Sequence, residues 1–132
     1  MKSESGETVT ADAKPWDIRD RTFEFALAIV RLCRALETRS PATGILSRQL
    51  LRSGTAIGAN VEEAQAGQSR ADFISKYAIA LKEARETIYW LRLLAASEKA
   101  PGSKYGALAN EAKEIAKVIG AIIVKTKSRG GR

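Results

Sequence analysis

Glu83 and Glu86 stand three residues apart in a stretch with helical spacing, a separation that puts two carboxylates on one helix face as a metal-ligand pair. Bundles with a di-iron centre need a glutamate followed by a histidine, and this chain contains no histidine. That absence also removes nucleophile triads of the serine and histidine type. With Cys33 as the single thiol, ordinary zinc sites lack ligands as well. No glycine-rich loop ending in lysine and serine or threonine is present, so nucleotide hydrolysis has no motif. Asn60 lies at the margin of an apolar helix face, one turn before Ala64. A buried amide must find partners, so it either bonds to a neighbouring helix and fixes register or lines a small pocket with Glu63. The expectation is a protein without catalytic machinery, metal or cofactor.

Charge points elsewhere. Residues 1 to 40 balance seven basic against seven acidic side chains, and residues 61 to 100 balance six against six. The net charge of +7 therefore comes from Arg48 and Arg52, with no acid between 41 and 60, and from residues 101 to 132, where seven bases face two acids. Arg48 and Arg52 are one helical turn apart, as are Lys113 and Lys117. Together with Lys125 and Lys127 they are expected to contact an anionic partner. RNA or DNA and an acidic protein both satisfy that chemistry, the second making the chain a protein-interaction scaffold. No aromatic-rich platform for single strands is visible, so nucleic-acid contact would run through shape and phosphates.

The elements that carry these residues read as helices throughout. At 132 residues with 45% hydrophobic content, the chain suits one domain. Turn signals at 38–44, 67–69 and 100–103 divide it into helices expected at 17–38, 44–66, 70–97 and 103–127, with a disordered lead-in over 1–16 and a frayed end over 128–132. Ile18, Phe25, Ile29, Leu32 and Leu36 share one face of the first helix, and Cys33 falls on that face as a packing residue. Leu46, Leu50, Ile57, Val61 and Ala64 continue the pattern in the second. Ser69 is placed to cap the third, where Tyr77, Ala84 and Leu91 recur at seven. Ser103 is placed to cap the fourth, whose Ala112, Ile115, Ile119 and Ile122 recur at three and four. Four amphipathic helices with short joins predict an all-α, up-down four-helix bundle. No charge-free run of about 18 apolar residues occurs and the N-terminus carries Glu4, Glu7 and Asp12, so a cytoplasmic protein without membrane contact is expected.

Two helices hold more apolar surface than one core can bury. Ile88, Tyr89, Trp90, Leu91, Leu93 and Leu94 point in nearly every direction, and Phe23, Leu27 and Val30 widen the apolar face of the first helix. Phe23, Leu27, Tyr89, Trp90 and Leu93 are therefore expected at an interface between copies of the chain. Gly54 and Gly58 each cost about 1 kcal/mol inside a helix. The expected compensation is close approach by another helix backbone, which places them at that interface too; a kink near 53–55 is the competing reading.

The run LLRSGTAIGANVEEAQAGQSRADFISKYAIALKEARETIYWLRLL, from Leu50 to Leu94, closely resembles the four helix bundle proteins, also called intervening-sequence proteins because some are encoded within inserts in bacterial large-subunit ribosomal RNA genes. The matching motifs are Arg52 to Asn60, Glu63 with Ala64, and Asp72 to Leu91. Ala56 stands where members often carry serine, and Glu62 where many carry a basic residue, which interrupts a continuous basic strip. The resemblance implies a bundle assembled into a pentameric ring with no established enzymatic activity. Relatives include the accessory variability determinant of diversity-generating retroelements, a basic pentamer that associates with a reverse transcriptase and nucleic acid; by analogy such a protein is a possible partner type here, although fold-level analogy does not transfer function.

Overall fold

In a computed structural model, which describes residues 15–98 and 103–130, the apolar periodicity resolves into four helices: α1 (Pro15–Leu36), α2 (Pro41–Gln65), α3 (Arg70–Glu98) and α4 (Ser103–Gly130). The described residues include no strand. The turns joining α1 to α2 and α2 to α3 are four residues each, too short for anything but antiparallel neighbours. Consecutive helices pack together and α1 closes against α4, whereas the described residues show no α1–α3 or α2–α4 packing. The result is an up-down bundle with α1 diagonal to α3 and α2 diagonal to α4.

Capping chemistry moves several expected boundaries. α2 begins at Pro41 instead of residue 44, because the Ser40 side chain accepts from the Thr43 N–H at 3.1 Å and proline suits the first helical position. Gly44, which resembles a turn residue in sequence, lies inside that helix, where an added Cβ would sit 3.0 Å from the Glu37 carbonyl oxygen. α1 starts at Pro15, so two residues of the expected lead-in are helical. α4 continues to Gly130 instead of fraying from Ser128, with Lys127 and Arg129 in its last turn complementing the negative end of the helix dipole. Ser69 does cap α3, accepting from the Asp72 N–H at 3.1 Å. The rest of the expected lead-in and the turn at 99–102 lie outside the described residues. No described helix is long and apolar enough to cross a membrane.

The core follows the sequence pattern. Ile18, Phe25, Ile29 and Leu36 of α1, Leu50, Ile57 and Val61 of α2, Tyr77, Ala84 and Leu91 of α3, and Ala112, Ile115 and Ile119 of α4 are all buried. One end of the bundle is tied by Glu98, which accepts from Arg39 Nη1 at 2.5 Å, the Tyr105 hydroxyl at 3.1 Å and the Thr43 hydroxyl at 3.3 Å.

Gly54 and Gly58 are buried in the α1–α2 seam, and α2 runs unbroken through them. A Cβ at Gly54 would meet Ile29 side-chain atoms at 2.9–3.3 Å, and one at Gly58 would meet Thr22 at 3.2–3.3 Å. The close approach expected of these glycines therefore occurs within one chain, between α1 and α2, and Gly58 also lines a groove of about 180 Å³ beside Phe23. Ile29 is fully buried and cannot swing aside. Gly54→Ala should lower stability by about 1 kcal/mol, overpacking of about 1–3 kcal/mol outweighing the helix-propensity gain. Gly106→Ala and Gly120→Ala, where a Cβ meets nothing within 4 Å, should each raise stability by about 0.5–1 kcal/mol. Thermal denaturation of the three variants checks both signs.

Candidate functional site

The α2–α3 seam holds the densest polar cluster among the described residues. Arg52 reaches across from α2, its Nη1 donating to Glu83 Oε1 at 3.3 Å and its Nη2 to Glu86. The Trp90 indole N–H donates to the same Glu86 carboxylate at 3.0 Å. One turn inward, the buried Thr87 hydroxyl lies 2.9 Å from that of Ser53 and 2.8 Å from the Glu83 carbonyl oxygen, so each hydroxyl has a partner. The bond from Trp90 and the Arg52 guanidinium hold the Glu86 carboxyl below the usual carboxylate range, and Glu86 pushes Arg52 up in return. The two glutamates whose spacing suits metal ligation are thus turned onto an arginine. Among the described residues no cluster of three or more potential metal ligands occurs.

Arg52 was expected to be an uncompensated cation on the strength of its own segment. Its acids come instead from α3, more than thirty residues away, so it is a structural ion pair. Asn60 also departs from expectation: its amide donates to the Ala56 carbonyl oxygen at 2.9 Å within α2, and among the described residues it makes no bond to another helix. A turn of its own helix offers the nearest acceptor. Glu63 is exposed.

Cys33 is buried and its thiol points at the Ser47 carbonyl oxygen, 3.3 Å away. Burial raises the thiol from 9.0 to about 11, which keeps it protonated and unreactive at neutral pH. Burial likewise raises the Tyr77 and Tyr105 hydroxyls, against a bond from Gln65 in the first and with a bond to Glu98 adding to it in the second.

The six basic residues singled out by sequence do not converge. Arg48 and Arg52 are on α2 and Lys113, Lys117, Lys125 and Lys127 on α4, the diagonal helix, so their outer faces point away from each other. Lys117 pairs with Glu114 at 3.3 Å. Arg48 is exposed and instead shares a cleft of about 340 Å³ with Arg34 of α1 and Glu37 just beyond it, with the buried Cys33 and Ser47 also lining it. A second cleft, of about 330 Å³, lies between α1 and α4 and is flanked by Arg31 and Lys104. Neither Arg31, Arg34 nor Lys104 stood out in sequence, although the spacing of three between the two arginines was there to be seen.

The surplus apolar residues are placed much as their number implied. Phe23 is 64% exposed on α1 and Tyr89 53% exposed on α3, so the two aromatics occupy opposite corners of the bundle. Leu27, Trp90 and Leu93 are half-buried beside them, Trp90 edge-on to Tyr89. Ile45 and Val124 are exposed as well, at the outer ends of the apolar runs Ile45–Leu46 and Ile122–Val124, and Leu51, next to the buried Leu50, is 37% exposed.

Residues 14–121 match the family model described as 23S rRNA-intervening sequence protein. A crystal structure of a protein of unknown function from the S23 ribosomal protein family of Bacteroides thetaiotaomicron is 46% identical to the chain, with a TM-score of 0.78, covering 84% of this chain and 98% of that one. No curated protein matches.

Two outcomes follow from the polar clusters. Arg52→Ala should cost about 1 kcal/mol in urea denaturation, since it strips the guanidinium from a nearly buried Glu83, whereas Arg48→Ala should leave stability unchanged. At alkaline pH the unfolded chain releases the Cys33, Tyr77 and Tyr105 protons before the folded chain does. Stability should be complete below about pH 8.5 and decline as pH rises towards about 11, with Cys33→Ala removing part of the decline. Urea midpoints measured across that range read the slope directly.

Proposed function

Because the chain belongs to the 23S rRNA-intervening sequence protein family, we propose that it is a non-enzymatic binding module that assembles with copies of itself into a ring and associates with nucleic acid. The observation that carries the reading is the pair of apolar surfaces at opposite corners, around Phe23 on α1 and around Tyr89 on α3. A two-fold dimer covers the same patch on both copies and would leave the other patch wet. A head-to-tail contact covers both patches at once, and repeating it closes into a ring when the rotation permits. Five copies is the ring size that the family resemblance implies. A basic surface fits nucleic acid as partner, given the net charge of +7. The absence of catalysis is supported by what the candidate groups do: Glu83 and Glu86 hold an arginine, and Cys33 keeps its proton.

Light scattering should give a mass several times 14.3 kDa. Phe23→Ser and Tyr89→Ser should each dissociate the ring. Mixed together, the two variants should form a one-to-one dimer, because each keeps the face that the other has lost. A wild-type monomer at micromolar concentration, or variants that do not recombine, would rule the head-to-tail ring out.

A further inference from the structure

We infer that the phosphate-binding surface of each protomer is a belt of four cations crossing α1: Lys104, Arg31, Arg34 and Arg48. The inference rests on the nucleic-acid reading above and assigns that reading a site that shares only Arg48 with the one that local charge counts favour.

Adjacency runs along the belt in three steps. Lys104 of α4 and Arg31 of α1 flank the α1–α4 cleft, with Ala28, Leu32 and Leu108 beneath them. Arg31 and Arg34 are three residues apart on α1 and so lie side by side on its surface. Arg34 and Arg48 of α2 flank the α1–α2 cleft. All four side chains are exposed, and none forms an ion pair with another described residue. By contrast Arg19, Arg21, Arg39 and Arg52 are each committed to a glutamate on another helix. Glu37 is the one acid lining either cleft.

The chemistry of the belt selects a phosphate backbone. Three of its four cations are guanidinium groups, which grip phosphate oxygens in a bidentate fork. Neither cleft is lined by an aromatic residue, so unstacked bases have no platform and a single strand gains nothing beyond charge. Because α1 stands at the corner between α4 and α2, the four charges wrap its outward edge as a convex strip. A double-stranded RNA stem, whose phosphates are met from outside through shape and charge, fits such a strip.

The test uses the full chain and a hairpin RNA with a stem of about one helical turn, followed by fluorescence anisotropy at several salt concentrations. With four phosphates engaged, log affinity should fall against log salt with a slope of about −3.6, or about 150-fold between 50 and 200 mM salt. Replacing Arg31, Arg34, Arg48 and Lys104 together by glutamine should bring the slope near zero and weaken binding more than about tenfold at the lower salt. Replacing the three arginines by lysine should preserve the slope, which separates charge loss from any loss of fold. Removing the same charge from α3, by glutamine at Arg70, Lys82, Arg85 and Arg92, should change neither quantity. If the α3 variant loses binding and the belt variant keeps it, the belt is overturned while the nucleic-acid reading stands. If the wild type ignores the hairpin and takes up poly-glutamate instead, both fail and an acidic protein is the partner.

Discussion

Two helices approach only as closely as the atoms between them permit, and on α2 Gly54 and Gly58 remove the atoms that would hold α1 away. Ile29 and Thr22 fill the vacated space, and Thr22 stays there because its hydroxyl bonds back to the Ile18 carbonyl oxygen at 2.8 Å. Much else depends on this seam. With α1 drawn onto α2, its other flank meets α4 along the sparsest of the four contacts. That flank is pinned by the Arg21 fork on Glu111, at 2.7 and 2.9 Å, both partners being largely shielded from water. Above the fork the helices part, and the cleft between Arg31 and Lys104 lies in the gap. A backbone constraint on one side of α1 thus shapes the surface on the other.

The opposite seam works by different means. α2 and α3 are joined by a small hydroxyl pair, Ser53 with Thr87, inside an arginine clamp on Glu83 and Glu86. Buried hydroxyls of this size cost little because each also bonds back to a carbonyl of its own helix, Leu50 for Ser53 and Glu83 for Thr87, so a slip by one residue would break the bond between the helices and leave those two in place. The clamp's half-exposed guanidinium adds modest energy, while its geometry admits only one pairing of the helices.

Periodicity in the sequence predicted the core because burial depends on which face a residue occupies, a local property. Ile18, Phe25, Ile29, Leu50, Val61, Ala84, Leu91, Ile115 and Ile119 are buried where their spacing puts them. Pairing between helices is another matter. Arg52 looked uncompensated because its acids lie in α3, and Arg48 looked like its twin although it turns towards α1. Gly58 announced a close approach but not the helix that makes it. Asn60 satisfies itself within a single turn, a choice that no pattern of neighbours reveals. Phe23 and Tyr89 were legible as surplus since helix geometry alone shows that one core cannot take residues from every side. Their diagonal placement came only with the packing order.

The chain's one thiol lies beneath the α1–α2 surface, bonded to the Ser47 carbonyl oxygen and held in its protonated form. The thiol lines the α1–α2 cleft with only 5% of the residue's surface exposed, and its proton disfavours attack on an oxidised partner, so redox poise has little purchase on these surfaces. Non-covalent binding of any partner is governed by mass action, and how much of the protein is engaged follows how much of it the cell makes.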